Sequence, residues 1–411
     1  MKIAIATAVY YPMTNGVATF SYQLAKGLAS RGHEVLVLTP SLTGKSHTET
    51  QDGVKVHYLN STKMPLYPDQ IEAVPKKRLF YKNGMRVSLA PYKDMFRALK
   101  KFKPDVIHSQ TPEMIGFAAY LYAKQYRVPL VTTGHNYPEV VTGQMKAPTA
   151  VKKPLNKVLR AYFLNFQKHS DYTTMPTELV MEDMVGERKF PIPVEALSNG
   201  IDIAAFRPGR ASAEIYDKYK IPRGRPVALY VGRVDPEKNV GKIILAFQDV
   251  LKILPMAVLV VVGDGTDLMR LKSLAAEREM SDAVIFTGRV LPPELMELYR
   301  VGSVFVTASE METQGIVLIE AAATGLPLVA VDKGGVREIC RDGINGYLCQ
   351  PGNSDEAIRG MTENIVKILK NKDLAKSFRE KSLKIAKIND IRHTLNRFEE
   401  IYREVISLKR A

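Results

Sequence analysis

Long hydrophobic runs are missing from this sequence. The longest, residues 256–263, is strand length and falls well short of the ~18 apolar residues that read as a spanning helix, so no transmembrane segment is expected. Cysteine is nearly absent too. Cys340 and Cys349 stand with eight residues between them, without a CxxC pair or a histidine cluster nearby. Neither a disulfide framework nor a zinc site is suggested, and a reducing cytoplasm fits. A secretion signal is also not expected. The run 2–11 has one basic residue, the alternation of a strand and no clear small-x-small cleavage site, so it reads as a first strand. What is present is a chain of 411 residues, 45% hydrophobic and 25% charged, which is the composition of a folded globular protein rather than of a disordered one. That length predicts two or three domains.

Positive charge is in excess, with 58 Lys and Arg against 43 Asp and Glu and a net charge of +15. The excess is uneven. Residues 1–200 hold 26 basic and 15 acidic side chains, whereas 201–411 hold 32 and 28. Residues 63–103 carry eleven basic and three acidic groups, and 146–168 carry six basic and no acidic ones. Nucleic acid, an anionic membrane or a phosphorylated substrate would each suit such a surface, as would plain solvation. There is no nucleic-acid motif or aromatic-interleaved strand platform, so nucleic acid is not expected as a partner.

Short β-branched runs alternate with helix-length amphipathic segments, the pattern of α/β folds with parallel sheets. Strands are expected at 2–7, 34–39, 105–109, 130–133 and 172–175, and a second series at 227–231, 257–262, 284–287, 304–307 and 328–331. Each series suffices for its own doubly wound sheet, predicting two Rossmann-like domains, 1–200 and 205–388, facing across a cleft. Ser198-Asn199-Gly200-Ile201-Asp202 and the Pro- and Gly-rich stretch 208–226 are where a linker should fall. The tail after Pro351 is helical in pattern, and Phe398, Ile401, Tyr402 and Val405 share one face.

Candidate chemistry sits where strands end. The first strand runs into Tyr11-Pro12-Met13-Thr14-Asn15-Gly16-Val17 ahead of a helix expected from about Thr19, making Gly16 a candidate phosphate-facing turn. Strand 227–231 runs into Gly232-Arg233-Val234-Asp235-Pro236-Glu237-Lys238-Asn239, which sets a guanidinium and an ammonium beside a helix start, suited to a departing diphosphate. The next strand ends in Gly263-Asp264-Gly265, whose glycines permit close backbone approach to a ligand. In Ser309-Glu310-Met311-Glu312-Thr313-Gln314-Gly315-Ile316-Val317-Leu318-Ile319-Glu320, a helix is expected from about Gln314. Glu312 would stand at its mouth, with the amides of Thr313, Gln314 and Gly315 turned to sugar hydroxyls. Glu320 is set in an apolar run, where an idle charge would be costly.

Together, Gly232-Arg233 with Lys238, the pair Glu312 and Glu320, Asn199-Gly200-Ile201-Asp202 and Asn15-Gly16-Val17 resemble the retaining glycosyltransferases of family 4, which have the GT-B fold. The resemblance covers essentially the whole chain. It implies that Arg233 and Lys238 bind the donor diphosphate and Glu320 the ribose. Glu312 and the amides of Thr313, Gln314 and Gly315 would bind the transferred sugar, and contacts near Arg289 and Gly263 the base. Gly16 would line the phosphate side, His135 would face the reacting centre, and the helix 390–411 would pack back on the first domain. No metal or other cofactor is implied, because cations and helix dipoles take the role of Mg²⁺. Thr133-Gly134-His135-Asn136-Tyr137-Pro138-Glu139 resembles the bacterial diacylglycerol glucosyltransferases in Tyr137 and Glu139. It departs from them where Asn136 replaces a threonine and Pro138 intrudes.

The expected activity is hexose transfer, retaining configuration, from a nucleotide sugar such as UDP-glucose to a lipid acceptor such as diacylglycerol. The alternative keeps that donor chemistry with a soluble or polyprenyl-linked acceptor in cell-envelope polysaccharide synthesis. The basic N-terminal domain is expected to hold the enzyme peripherally on the inner, cytoplasmic face of the membrane. Leu155, Leu159, Tyr162 and Phe166 form a helical stripe flanked by Lys146, Lys152, Lys153, Lys157, Arg160 and Lys168, as in a helix lying in an anionic lipid surface.

Overall fold

In a computed structural model, which describes residues 1–13, 15–63, 86–135, 137–143, 148–186 and 190–410, the chain divides into two compact units. One is Met1–Gly200 with Ile391–Ala411, the other Ile201–Asp390. The division falls inside the Asn199-Gly200-Ile201-Asp202 motif. The stretch 208–226 is not the linker its prolines and glycines suggested. It holds the helix Ala213–Lys218, and Ile215 and Ile221 are buried in the core of the second unit. Hydrophobic anchors at ordinary spacing outweigh the local breakers.

The strands of the first unit are β1 (Lys2–Ala6), β2 (Glu34–Pro40), β3 (His47–Gln51), β4 (Val54–Leu59), β5 (Thr62–Lys63), β6 (Arg86–Val87), β7 (Val106–Ser109), β8 (Leu130–Thr133), β9 (Tyr172–Met175) and β10 (Val194–Ala196). Eight of them form a sheet in the order β10-β9-β8-β7-β1-β2-β4-β3, parallel except for the antiparallel pair β3 and β4. That pair was not expected from hydrophobic runs, because β3 is polar and almost wholly exposed. Its turn is nevertheless written in the sequence. Asp52 and Gly53 both have positive φ, 47° and 78°, the two-residue connection that Asp-Gly favours in hairpins.

The second unit contains β11 (Val227–Val231), β12 (Val258–Val262), β13 (Val284–Gly288), β14 (Val304–Val306), β15 (Leu328–Val331) and β16 (Gly346–Cys349). They form one sheet in the order β13-β12-β11-β14-β15-β16, with every pair parallel. β11 and β12 are buried at every position, as expected of strands covered by helices on both faces. This is the doubly wound order, and its direction reverses between β11 and β14.

The last helix, Ile391–Arg410, belongs to the first unit. Leu395, Phe398, Ile401, Tyr402 and Val405 are buried with Ile3, Ile5, Phe20 and Val37. At Gly200, with φ +67°, a β-carbon would lie 2.7 Å from the Cα of Ile391 and from Thr394 Oγ1. Thr394 Oγ1 donates to the carbonyl of Ser198 at 2.8 Å. Only glycine lets the chain pass so close under this helix.

Candidate active site

In an open parallel sheet, ligands sit beyond the carboxyl ends of strands where the winding reverses, because the loops there diverge. β11 and β14 are neighbours although some 70 residues separate them, and the loops that follow them carry Arg233, Lys238 and Glu312. Lys238, in the single turn Pro236–Lys238, donates through Nζ to Glu312 Oε1 at 2.6 Å. Arg233 donates to Asp235 through Nη1 and to Glu237 Oε1 at 2.6 Å through Nη2, while its carbonyl accepts from the Tyr230 hydroxyl at 2.6 Å. Both cations are thus held by carboxylates at the switch point, and both are about one-fifth exposed.

Burial pushes the Glu312 carboxyl up, but the charge and hydrogen bond of Lys238 outweigh it, so the group titrates below its ordinary value. The backbone of Glu312 is fixed by the amide of Gly335, which donates to its carbonyl at 3.1 Å. The helix after it begins at Ile316 rather than Gln314. Gly315 takes a left-handed conformation, φ 79°, so Thr313, Gln314 and Gly315 form the bend leading in, with Gln314 buried. Of the residues between Glu312 and Glu320, only those from Ile316 onward are helical. Glu320 lies within the helix Ile316–Ala323, only 7% exposed, and accepts from the Tyr299 hydroxyl at 2.6 Å. Burial pushes its carboxyl up to about 7.

Gly263 permits a close backbone approach within the protein itself. Its φ is 147° and an added β-carbon would stand 1.8 Å from the carbonyl oxygen of Gly232. The close approach is between two backbone loops, after β11 and after β12, and it shapes the loop that carries Arg233. Arg289 follows β13 at the sheet's edge and is half-buried.

Gly16 and His135 belong to the first unit. The helix starts at Gly16 itself, not near Thr19, because Asn15 caps it by accepting from the Ala18 amide at 2.8 Å. His135 follows β8, 7% exposed, with Nε2 2.8 Å from Gln110 Oε1 and its ring edge-on to Phe20 of that helix. Burial lowers its pKa to about 3, so it is neutral at pH 7. Behind it, His108 lies 2.7 Å from both the Tyr402 hydroxyl and Thr133 Oγ1, also lowered to about 3, by burial and then by His135.

The helix Thr149–Lys168 exposes only Tyr162 of the stripe expected of it, with Leu155 and Leu159 half-buried. Phe166 is buried, Leu159 packs on the cluster that holds Phe163 and Leu164, and Arg160 pairs with Asp183. Lys168 stands over the ring of Phe190. What faces outward is Val151, Val158 and Tyr162, which are 51%, 64% and 47% exposed, together with Lys153 and Lys157. Asn136, Lys146 and the 64–85 part of the basic stretch lie outside the described residues.

Comparison with known proteins decides the family. The profile for Glycosyltransferase Family 4 matches residues 14–205 and that for Glycosyl transferases group 1 matches 212–384. The alpha-monoglucosyldiacylglycerol synthase of Acholeplasma laidlawii is 30% identical over 356 residues, 84% of either chain. This chain belongs to glycosyltransferase family 4. A GDP-mannose-dependent alpha-mannosyltransferase of Mycobacterium tuberculosis, also similar to this family 4 enzyme, is 29% identical over 89% of this chain and 88% of its own. Among solved structures, Anabaena Alr3699/HepE in complex with UDP-glucose superposes with a TM-score of 0.73 at 17% identity, covering 98% of this chain and 100% of that one. The fold of the two α/β units is GT-B.

Sequence reasoning missed two charged groups of the second unit. Lys242 is 2% exposed inside an apolar helix, and the argument that singled out Glu320, a charge set in an apolar run, applies equally to it. Glu310 carried the signal of an acid two residues before Glu312. Tyr299 left no signal, because its partner Glu320 lies 21 residues away on another helix.

Proposed function

We propose that this glycosyltransferase moves glucose from UDP-glucose to a membrane lipid such as diacylglycerol, retaining the anomeric configuration. The observation that carries the donor half is the Lys238 to Glu312 ion pair, 2.6 Å long, at the sheet's switch point. On arrival of the diphosphate, Lys238 and Arg233 exchange carboxylate for phosphate oxygens. Glu312 is then released to accept from a sugar hydroxyl, and Glu320 accepts from the ribose. The backbone near Gly263 and Arg289 meets the base, and the bend at Thr313, Gln314 and Gly315 meets the sugar. Charge growing on the leaving diphosphate is met by side-chain cations, so turnover needs no metal. The first unit takes the acceptor, with His135 on its reactive side and Gly16 on its phosphate side.

The lipid acceptor is supported by the name of the A. laidlawii relative and by the outward Val151, Val158 and Tyr162 beside Lys153 and Lys157. Such a face suits peripheral attachment to the anionic inner leaflet. Among the described residues no helix is long and apolar enough to cross a membrane. A second donor, GDP-mannose, is favoured by the M. tuberculosis relative. Incubating the protein with UDP- and GDP-sugars and total lipid extract, with and without chelator, tests the proposal. A glucolipid with an α linkage by NMR, formed equally in chelator, is the expected product. A mannolipid would assign the second donor, and transfer only to water-soluble glycans would remove the lipid acceptor.

A further inference from the structure

The segment between β16 and the helix Asp355–Lys370 touches both halves of the candidate site. From beneath, Lys242 donates through Nζ to the carbonyls of Gln350 and Gly352 at 2.8 and 2.7 Å. On one side, the amide of Gly352 donates to Glu310 Oε1 at 2.6 Å, and Lys333 holds the other oxygen of that carboxylate at 3.1 Å. On the other side, Asn353 Oδ1 accepts from Asn239 Nδ2 at 2.7 Å. Asn239 follows Lys238 in the chain and Glu310 precedes Glu312 by two residues. The same four residues therefore restrain the loop that presents the ammonium and the loop that presents the carboxylate.

Burying a lysine costs free energy unless its donors are satisfied, and a hydrophobic residue would fill this helix position more cheaply if packing were all that mattered. We propose that Lys242 is a positioning residue for sugar transfer: by holding the segment 350–353 it sets the spacing between Lys238 and Glu312. The inference rests on the reading of Lys238 and Glu312 as donor-binding groups. It adds a group that touches neither donor nor acceptor and acts through the carbonyls of Gln350 and Gly352.

The test compares Lys242→Met, Lys242→Arg, Glu310→Gln, their double variant Lys242→Met/Glu310→Gln and Lys238→Ala. Each is assayed for kcat and KM with the nucleotide sugar that the native protein turns over fastest, and for thermal unfolding. Lys242→Met is expected to unfold cooperatively and to lose about 10- to 100-fold in kcat, the range for a displaced reacting geometry. KM for the donor should change much less. Lys242→Arg should recover most of that loss, and adding Glu310→Gln to Lys242→Met should cost little more, because both changes release the same restraint. A folded Lys242→Met with kcat within twofold of native, or single losses that multiply in the double variant, would overturn the proposal. Should Lys242→Met not fold, Glu310→Gln and Asn353→Ala at the segment's outer contacts decide it: native kcat in both overturns it. An impaired Lys238→Ala beside a normal Lys242→Met removes the positioning role alone. A fully active Lys238→Ala removes the donor site and this inference together.

Discussion

At the scale of single residues, the chemistry depends on charges that are already paired. Arg233 and Lys238 do not wait as bare cations; Asp235, Glu237 and Glu312 hold them in place, and in the proposed function phosphate oxygens replace those carboxylates. Replacing either cation by alanine should cut turnover by about 100- to 1000-fold, the loss seen when one preorganised stabiliser of developing charge is removed. Initial-rate assays with the best donor check this, and a variant lacking both cations that keeps a tenth of native turnover would refute the diphosphate assignment. Glu320 predicts a pH dependence. Burial raises its carboxyl to about 7, above the roughly 4.3 of an unfolded chain. The folded protein therefore keeps a proton that the unfolded chain releases, and stability is lost as pH rises from about 4.3 through 7. Glu320→Gln, neutral throughout, should melt close to the native protein at pH 5 and gain on it by pH 8. Melting curves at the two pH values measure that gap, and a constant gap would mean that Glu320 is ionised at rest.

At the scale of elements, the helix Thr149–Lys168 divides its faces differently from the simplest reading of its sequence. Periodicity finds an apolar stripe but does not say what it meets; here Phe163, Leu164 and Phe166 meet the core while Val151 and Val158 stay outside. Changing Lys152, Lys153 and Lys157 to Glu should abolish co-sedimentation with anionic vesicles, since each cation near the surface adds about 1 kcal/mol of attraction. Val158→Asn, which removes apolar surface without adding charge, should weaken it without changing the salt dependence. Equal binding to zwitterionic vesicles would argue against attachment by charge. The central strands were legible because they are buried on both faces and written as unbroken apolar runs, as in Val258–Val262. β3 is polar, and β10 and β16 are sheet-edge strands whose positions are largely half-buried, so their pairing comes from neighbouring strands rather than from an apolar run of their own. The site was legible residue by residue, through cations and acids at strand ends. Which cation meets which acid was not, because Lys238 and Glu312 are 74 residues apart and become neighbours only through the order of β11 and β14.

At the scale of the whole molecule, the chain leaves the first unit at Gly200 and re-enters it at Ile391. The second unit is one continuous segment with its own core clusters. A protein ending at Asp390 should therefore lose the first unit, with Phe398, Ile401 and Tyr402 gone from among Ile3, Ile5 and Phe20, while residues 201–390 alone should unfold cooperatively. Circular dichroism and limited proteolysis of the two fragments test this, and a protease-resistant 1–200 body in the truncated protein would contradict it. The same connectivity governs the order of events during synthesis. The first two hundred residues emerge from the ribosome without the helix that completes their core, because Ile391–Arg410 is made only after the whole of the second unit. At about 5 to 20 residues per second, the wait is roughly 10 to 40 s. During it the later-made unit can close while the earlier one still exposes the surface around Phe20. A product that stops before Ile391 leaves that surface open to chaperones and proteases, so the helix Ile391–Arg410 acts as a seal that closes the first unit only after the second has been made.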